Sequence, residues 1–108
     1  MEELVQAPSE PQELDELARR VAAYNPEADF SLIRRAYDYS ARMHGDQKRE
    51  SGEPYVTHPL NVALIAAQLK LDVPSLETAL LHDVVEDTST SLQDVEHRFG
   101  AEVARLVD

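Results

Sequence analysis

LLHDVVEDT, Leu80–Thr88, together with the residues leading into it from Pro74, reads as one helix. Leu76, Ala79, Leu80 and Val84 recur at helical spacing and define an inward stripe, with Pro74 suited to the first turn, so the spacing predicts a helix from Pro74 to about Asp87. The same spacing puts Asp83 and Asp87 along that inward face. A carboxylate taken out of water is strongly disfavoured unless it is paired or binds a metal, so two of them on a core-facing stripe need a reason. His82 places an imidazole on the adjoining face, and Glu86 and Asp87 follow about 6 Å further along the axis.

Outward from this helix the chain keeps a helical period, and nothing alternates as a strand would, which predicts an all-α fold. Leu14, Leu17, Val21 and Ala22 give a first amphipathic helix from about Pro11 to Tyr24, stopped by Asn25-Pro26. A second starts near Asp29 as N-cap and carries Leu32, Ile33, Ala36, Tyr37, Ser40 and Ala41 to about His44. Gly45 to Pro54 is a charged polar loop, the kind of connection that carries function. A third helix opens at Pro59 and runs to about Lys70, and a short one capped by Thr90 or Ser91 ends at Gly100. Residues 101–108 are helical in pattern with neither cap nor breaker at the end, so the bundle is expected to be incomplete on its C-terminal side.

The bulk numbers narrow the class. A chain of 108 residues has room for one domain, and 43% hydrophobic with 29% charged residues is ordinary for a globular protein. No apolar run approaches the roughly 20 residues of a membrane span, and residues 1–11, acidic with two prolines, read as a flexible lead-in rather than a signal peptide. The absence of cysteine excludes disulfides and thiolate metal sites and makes the cytoplasm the default compartment. A net charge of −11 argues against DNA as partner, because phosphate backbones are held by Lys and Arg. A small anionic substrate stays possible if a bound cation and a local basic patch offset the field.

His58, fixed just ahead of Pro59, adds a second imidazole to His82 and Asp83. Imidazole and carboxylate without sulfur suit Mn²⁺, Fe²⁺ or Zn²⁺, and such an ion with Glu86 and Asp87 near its bound water would serve phosphate-ester hydrolysis. Spacing alone also admits a solvated His-Asp pair and two acids that merely close a helix, and it leaves these readings evenly matched. His44 at a helix end fits a structural hydrogen bond better than ligation, His97 a solvated helix position, and Tyr37 and Tyr55 anchors of core or loop. Lys48 and Arg49 are the basic pair nearest the candidate site.

From Arg34 to Asp108 two long blocks, RRAYDYSARMHGDQKRESGEPYVTHPLNVA and ALLHDVVEDTSTSLQDVEHRFGAEVARLVD, resemble the hydrolase domain of the Rel/SpoT family, enzymes that make and degrade the alarmones guanosine tetra- and pentaphosphate, (p)ppGpp. The pairing of SGEPYVTHP with LLHDVVEDT separates this family from HD proteins at large. The resemblance implies an HD-domain helical bundle over residues 12–108, with His58, His82 and Asp83 as three of four Mn²⁺ ligands and the fourth an aspartate beyond Asp108. It implies that Glu86 and Asp87 handle the attacking water, that Arg49 packs on the guanine base, and that Ser51 and Lys48 lie in the same nucleotide loop. Glu50 departs from the pattern, which usually has a basic residue there.

On this resemblance the chain is expected to belong to a cytoplasmic, Mn²⁺-dependent pyrophosphohydrolase that removes the 3′-pyrophosphate of (p)ppGpp, with synthetase and regulatory domains downstream. The alternatives are a small stand-alone alarmone hydrolase and a catalytically inactive HD module kept for regulation. The 108 residues alone are expected to bind metal weakly and turn over little.

Overall fold

Three helices begin on short polar side chains that accept the first free backbone N–H groups. Asp29 accepts from the Ser31 amide at 3.0 Å and starts α2 (Phe30–His44), and Asp72 accepts from Ser75 at 3.0 Å and starts α4 (Val73–Leu81) with Pro74 in its first turn. Ser91 starts α6 (Leu92–Phe99) through a reciprocal capping box with Asp94, at 3.1 and 3.0 Å. These hydrogen bonds hold the Asp29, Asp72 and Asp94 carboxyls below their usual pKa range. The computed structural model describes residues 12–45 and 57–108, and all regular elements among them are helices: α1 (Gln12–Tyr24), α3 (Thr57–Gln68), α5 (Val84–Asp87) and α7 (Ala101–Val107) complete the set. The expected lead-in, residues 1–11, lies outside the described residues, as do Lys48, Arg49, Glu50, Ser51 and Tyr55.

The all-α expectation is met, with α4 as the hub: α2, α3 and α7 pack on it, while α1 covers α3 and α6 lies against α7. Its stripe residues Leu76, Ala79 and Leu80 are buried, with Val84 continuing the stripe into α5, against Leu14, Leu17, Ile33, Leu60 and Val103 from the surrounding helices. Two positions assigned to inward stripes face solvent instead, Ala22 on α1 and Leu32 on α2. Each lies at the margin of its stripe, where the width of the neighbouring helix, not the period, decides burial. Tyr24 donates to the Leu71 carbonyl at 2.7 Å and ties the end of α1 to the turn between α3 and α4.

That turn contains one strained residue. α3 closes with the Lys70 amide donating to Ala67 at 2.9 Å and the Leu71 amide to Ala66 at 3.2 Å, a Schellman arrangement that needs a left-handed residue between them. Lys70 fills the place with φ +60°. A left-handed L-residue costs roughly 1–2 kcal/mol, and glycine would give back part of that through its greater freedom in the unfolded chain. Lys70→Gly is therefore expected to raise stability by about 0.5–1 kcal/mol, seen as a higher urea midpoint at unchanged slope.

Glu77, a position that period alone does not mark, is buried in α4 at 5% exposure. Burial lifts its pKa from 4.5 to about 7, with Arg35 pulling it down and Glu102 pushing it further up. The unfolded chain releases this proton near pH 4.5 and the folded chain near pH 7, so between the two the folded state holds more protons and stability falls as pH rises. Glu77→Gln is expected to flatten that decline. The variant should match the parent near pH 4.5 and exceed it by on the order of 1–3 kcal/mol above pH 7, measured by denaturation across the range.

Candidate metal centre

The single helix predicted from Pro74 to Asp87 is in fact two, because the hydrogen-bond ladder lapses at His82 and Asp83. Both residues keep right-handed angles, φ −62° and ψ −30° at His82, φ −87° and ψ −11° at Asp83, so the chain runs on in nearly the same direction. Asp83 is the N-cap of α5 yet makes no side-chain capping bond. Its carboxylate is turned to two imidazoles instead: Oδ1 stands 3.1 Å from His82 Nε2 and Oδ2 stands 3.8 Å from His58 Nε2.

His58 arrives from the first turn of α3, which packs directly on α4. The two imidazole rings lie 6.0 Å apart, tilted by 58°, and one ligand atom from each of His58, His82 and Asp83 falls within 4.8 Å of the others. Ligands held at about 2.0–2.2 Å by one ion stand a little over 3 Å apart, so small side-chain adjustments close this set around a cation. The rest of the His82 ring supports that fit. Its Nδ1 lies 2.9 Å from the Ala79 carbonyl, which can only accept, so a hydrogen bond there uses the Nδ1 proton and leaves Nε2, which faces Asp83, as the nitrogen for an ion. A backbone carbonyl on the far nitrogen is how metal-binding histidines are commonly oriented. All three residues are partly exposed, with side-chain values of 40% for His58, 36% for His82 and 20% for Asp83, which leaves the centre open to a ligand from solvent. A mixed nitrogen and oxygen donor set without sulfur fits Mn²⁺, Fe²⁺ or Zn²⁺.

Glu86 and Asp87 sit on α5, one turn beyond Asp83. The break corrects one expectation: Asp87 is exposed rather than inward, and Glu86 is exposed beside it. Short as it is, α5 is firmly closed. The Thr88 hydroxyl donates to the Val84 carbonyl at 2.6 Å, the Thr90 amide donates to the Thr88 hydroxyl at 3.1 Å, and the buried Thr90 hydroxyl lies 3.0 Å from the Tyr39 hydroxyl on α2. Ser91, not Thr90, caps α6, and Thr90 is freed for this link. The acid pair thus rides on a turn joined at one end to His82 and Asp83 and linked at the other to α2. Sequence reasoning offered Thr90 only as a helix cap and did not mark Tyr39. They lie 51 residues apart, and no local signal connects them.

His44 is buried at the end of α2, and His97 is exposed on α6. Tyr37 is buried in the core.

The HD-domain family model matches residues 36–108. The chain belongs to the HD-domain family. Within it, the chain is 51% identical over 88 residues to the GTP pyrophosphokinase of Myxococcus xanthus, covering 82% of this chain and 12% of that protein. It is 51% identical over 76 residues to the guanosine-3′,5′-bis(diphosphate) 3′-pyrophosphohydrolase of Aquifex aeolicus, covering 70% of this chain and 11% of that protein. The bifunctional (p)ppGpp synthase/hydrolase SpoT of Escherichia coli K12 is 47% identical over 94 residues, 87% of this chain and 13% of SpoT. The Rel/SpoT resemblance of the sequence is thereby met, and this HD-domain chain spans about an eighth of the length of those relatives.

Proposed function

We propose that this HD domain is the hydrolase part of a (p)ppGpp-degrading enzyme, which removes the 3′-pyrophosphate to leave GDP or GTP. The observation that carries the reading is the convergence of His58, His82 and Asp83 within 4.8 Å, in a chain similar to a protein named as that hydrolase. His58, His82 and Asp83 would hold Mn²⁺, with a fourth ligand from an aspartate beyond Asp108. Such an ion, when bound, polarises a phosphoryl oxygen and acidifies a bound water.

The chain's own groups then have distinct tasks. Asp83 joins the two histidines by offering one oxygen to each, and the Ala79 carbonyl keeps His82 Nε2 aimed at the site. Glu86 and Asp87, exposed on the next turn, orient the water and take its proton. Hydroxide adds to the phosphorus attached at the ribose 3′ oxygen, that P–O bond breaks, and the 3′ oxygen leaves with a proton. Arg49 would stack on guanine, with Lys48 and Ser51 at the phosphates, since a planar guanidinium suits both faces and edges of such a ligand. Synthetase and regulatory domains downstream are part of the same proposal, in line with the length of the relatives.

The test uses the chain extended through the region that follows it in the relatives, incubated with Mn²⁺ and ppGpp. Release of pyrophosphate together with GDP supports the reading. Release of orthophosphate alone, or no release at all, rejects it.

A further inference from the structure

Away from the metal centre, where α2 meets α6, a cavity of about 430 Å³ is lined by Arg35, Arg42, Arg98 and His97 around the rings of Tyr39 and Phe99. We propose that this cavity binds the oligophosphate group of a small molecule. It shares no residue with His58, His82, Asp83, Glu86 or Asp87, and the proposal does not depend on what that centre does.

The first argument is charge. In a chain of net charge −11, three guanidiniums converge on one hollow, and Asp38 is the acid on its wall. Asp38 lies 3.8 Å from Arg34, on the same helix. Among the described residues no carboxylate comes within 4.0 Å of Arg35, Arg42 or Arg98. Converging like charges repel one another, and a bound anion relieves that repulsion.

The second argument is orientation. Arg98 lies over the Tyr39 ring at 4.9 Å and Arg42 over the same ring at 5.6 Å, while Arg35 lies over Phe99 at 5.0 Å. The rings are themselves fixed, edge to face at 5.7 Å, and Tyr39 is bonded to Thr90. A guanidinium held over a ring by its charge still has N–H groups to donate, and one held in this way is partly ordered before a ligand arrives. Arg35 spends one edge on the Arg98 carbonyl, which ties α2 to α6 across the hollow. The edges that remain are forks suited to paired phosphate oxygens.

The third argument is span. Arg35 and Arg42 are seven residues apart on α2, about 10 Å along the axis, with Arg98 reaching in from the opposite helix. A chain of two or three phosphates matches a spread of that size better than a single phosphate does. The cavity is also of the size that holds a small ligand.

The experiment titrates the 108-residue chain with sodium tripolyphosphate and, separately, with ATP, by calorimetry in EDTA so that no divalent ion can recruit phosphate to the His/Asp centre. One-to-one binding is expected, weakening as salt rises. Arg42→Ala and Arg98→Ala should each weaken it by about tenfold, the effect of losing one charge-assisted hydrogen bond. Arg98 also packs on Tyr39, so thermal melts accompany each variant, and exposed Arg42, replaced by Ala and by Glu, keeps the test decisive if Arg98→Ala unfolds. His82→Ala should bind as the parent does. ATP binding more tightly than tripolyphosphate assigns the site to nucleotides, and equal affinities assign it to the phosphate chain alone. No binding of either probe at millimolar concentration, parental affinity in Arg42→Glu, or loss of binding in His82→Ala overturns the proposal.

Discussion

Asp83→Ala, in the extended chain, is expected to lose more than about 100-fold of its pyrophosphate release while melting within a few degrees of the parent. Asp83 is the residue that joins the centre: one oxygen is 3.1 Å from His82 Nε2 and the other 3.8 Å from His58 Nε2. Loss of a mere supporting partner of a metal ligand already weakens metal affinity or activity about 10–100-fold, so removing a ligand should exceed that range. The fold should be far less affected. Asp83 makes no capping bond to α5, and that helix is closed by the Asp87 amide on the Asp83 carbonyl and the Thr88 amide on Val84, backbone bonds that the substitution leaves in place. Melting curves and release rates measured on one preparation separate the two effects. Activity that survives the substitution contradicts the proposed role, and loss of activity with wholesale unfolding assigns Asp83 to structure instead.

Leu80→Ala is expected to do the reverse and attack stability first. Leu80 has no exposed surface and lies on α4, which is gripped by α2, α3 and α7 together. With neighbours on three sides the space cannot collapse easily, and a Leu→Ala change in such a place costs about 2–5 kcal/mol. Domains of this size are stable by only about 5–15 kcal/mol, so the melting temperature should fall by ten degrees or more. Leu69→Ala serves as the comparison. That leucine is 68% exposed, and the same chemical change there should move stability by no more than about 0.5 kcal/mol. Equal effects of the two substitutions would mean that α4 is not the hub of the core.

Local chemistry made much of this fold readable from sequence. Asp29 and the Ser91 cap work through hydrogen bonds spanning two or three residues, and the stripe Leu76, Ala79, Leu80, Val84 follows from helix period alone. The break at His82 and Asp83 was invisible for the same reason. Both residues keep helical angles, the apolar period runs through them, and only the hydrogen bonds lapse. Asp87 consequently read as inward although it is exposed.

The site divides in the same way. His82, Asp83 and the acid pair are neighbours in sequence, and the fold brings a ring nitrogen of His58, 24 residues before His82, within 4.8 Å of the ligand atoms of His82 and Asp83. Glu77 and the arginine-lined cavity carried no signal. An acid or an arginine on an amphipathic helix reads as solvated, and whether it meets other charges depends on how α2, α4, α6 and α7 cross. Those crossings are set by tertiary packing, as in the Tyr39–Thr90 contact over 51 residues.

The central claim is that His58, His82 and Asp83 hold one divalent ion, and a Mn²⁺ titration followed by electron paramagnetic resonance tests it most directly. For the 108 residues alone, weak one-to-one binding is predicted, lost in each of His58→Ala, His82→Ala and Asp83→Ala but kept in Arg42→Ala. Binding that is indifferent to the three substitutions, or tight enough to be stoichiometric without a fourth ligand, would contradict the account.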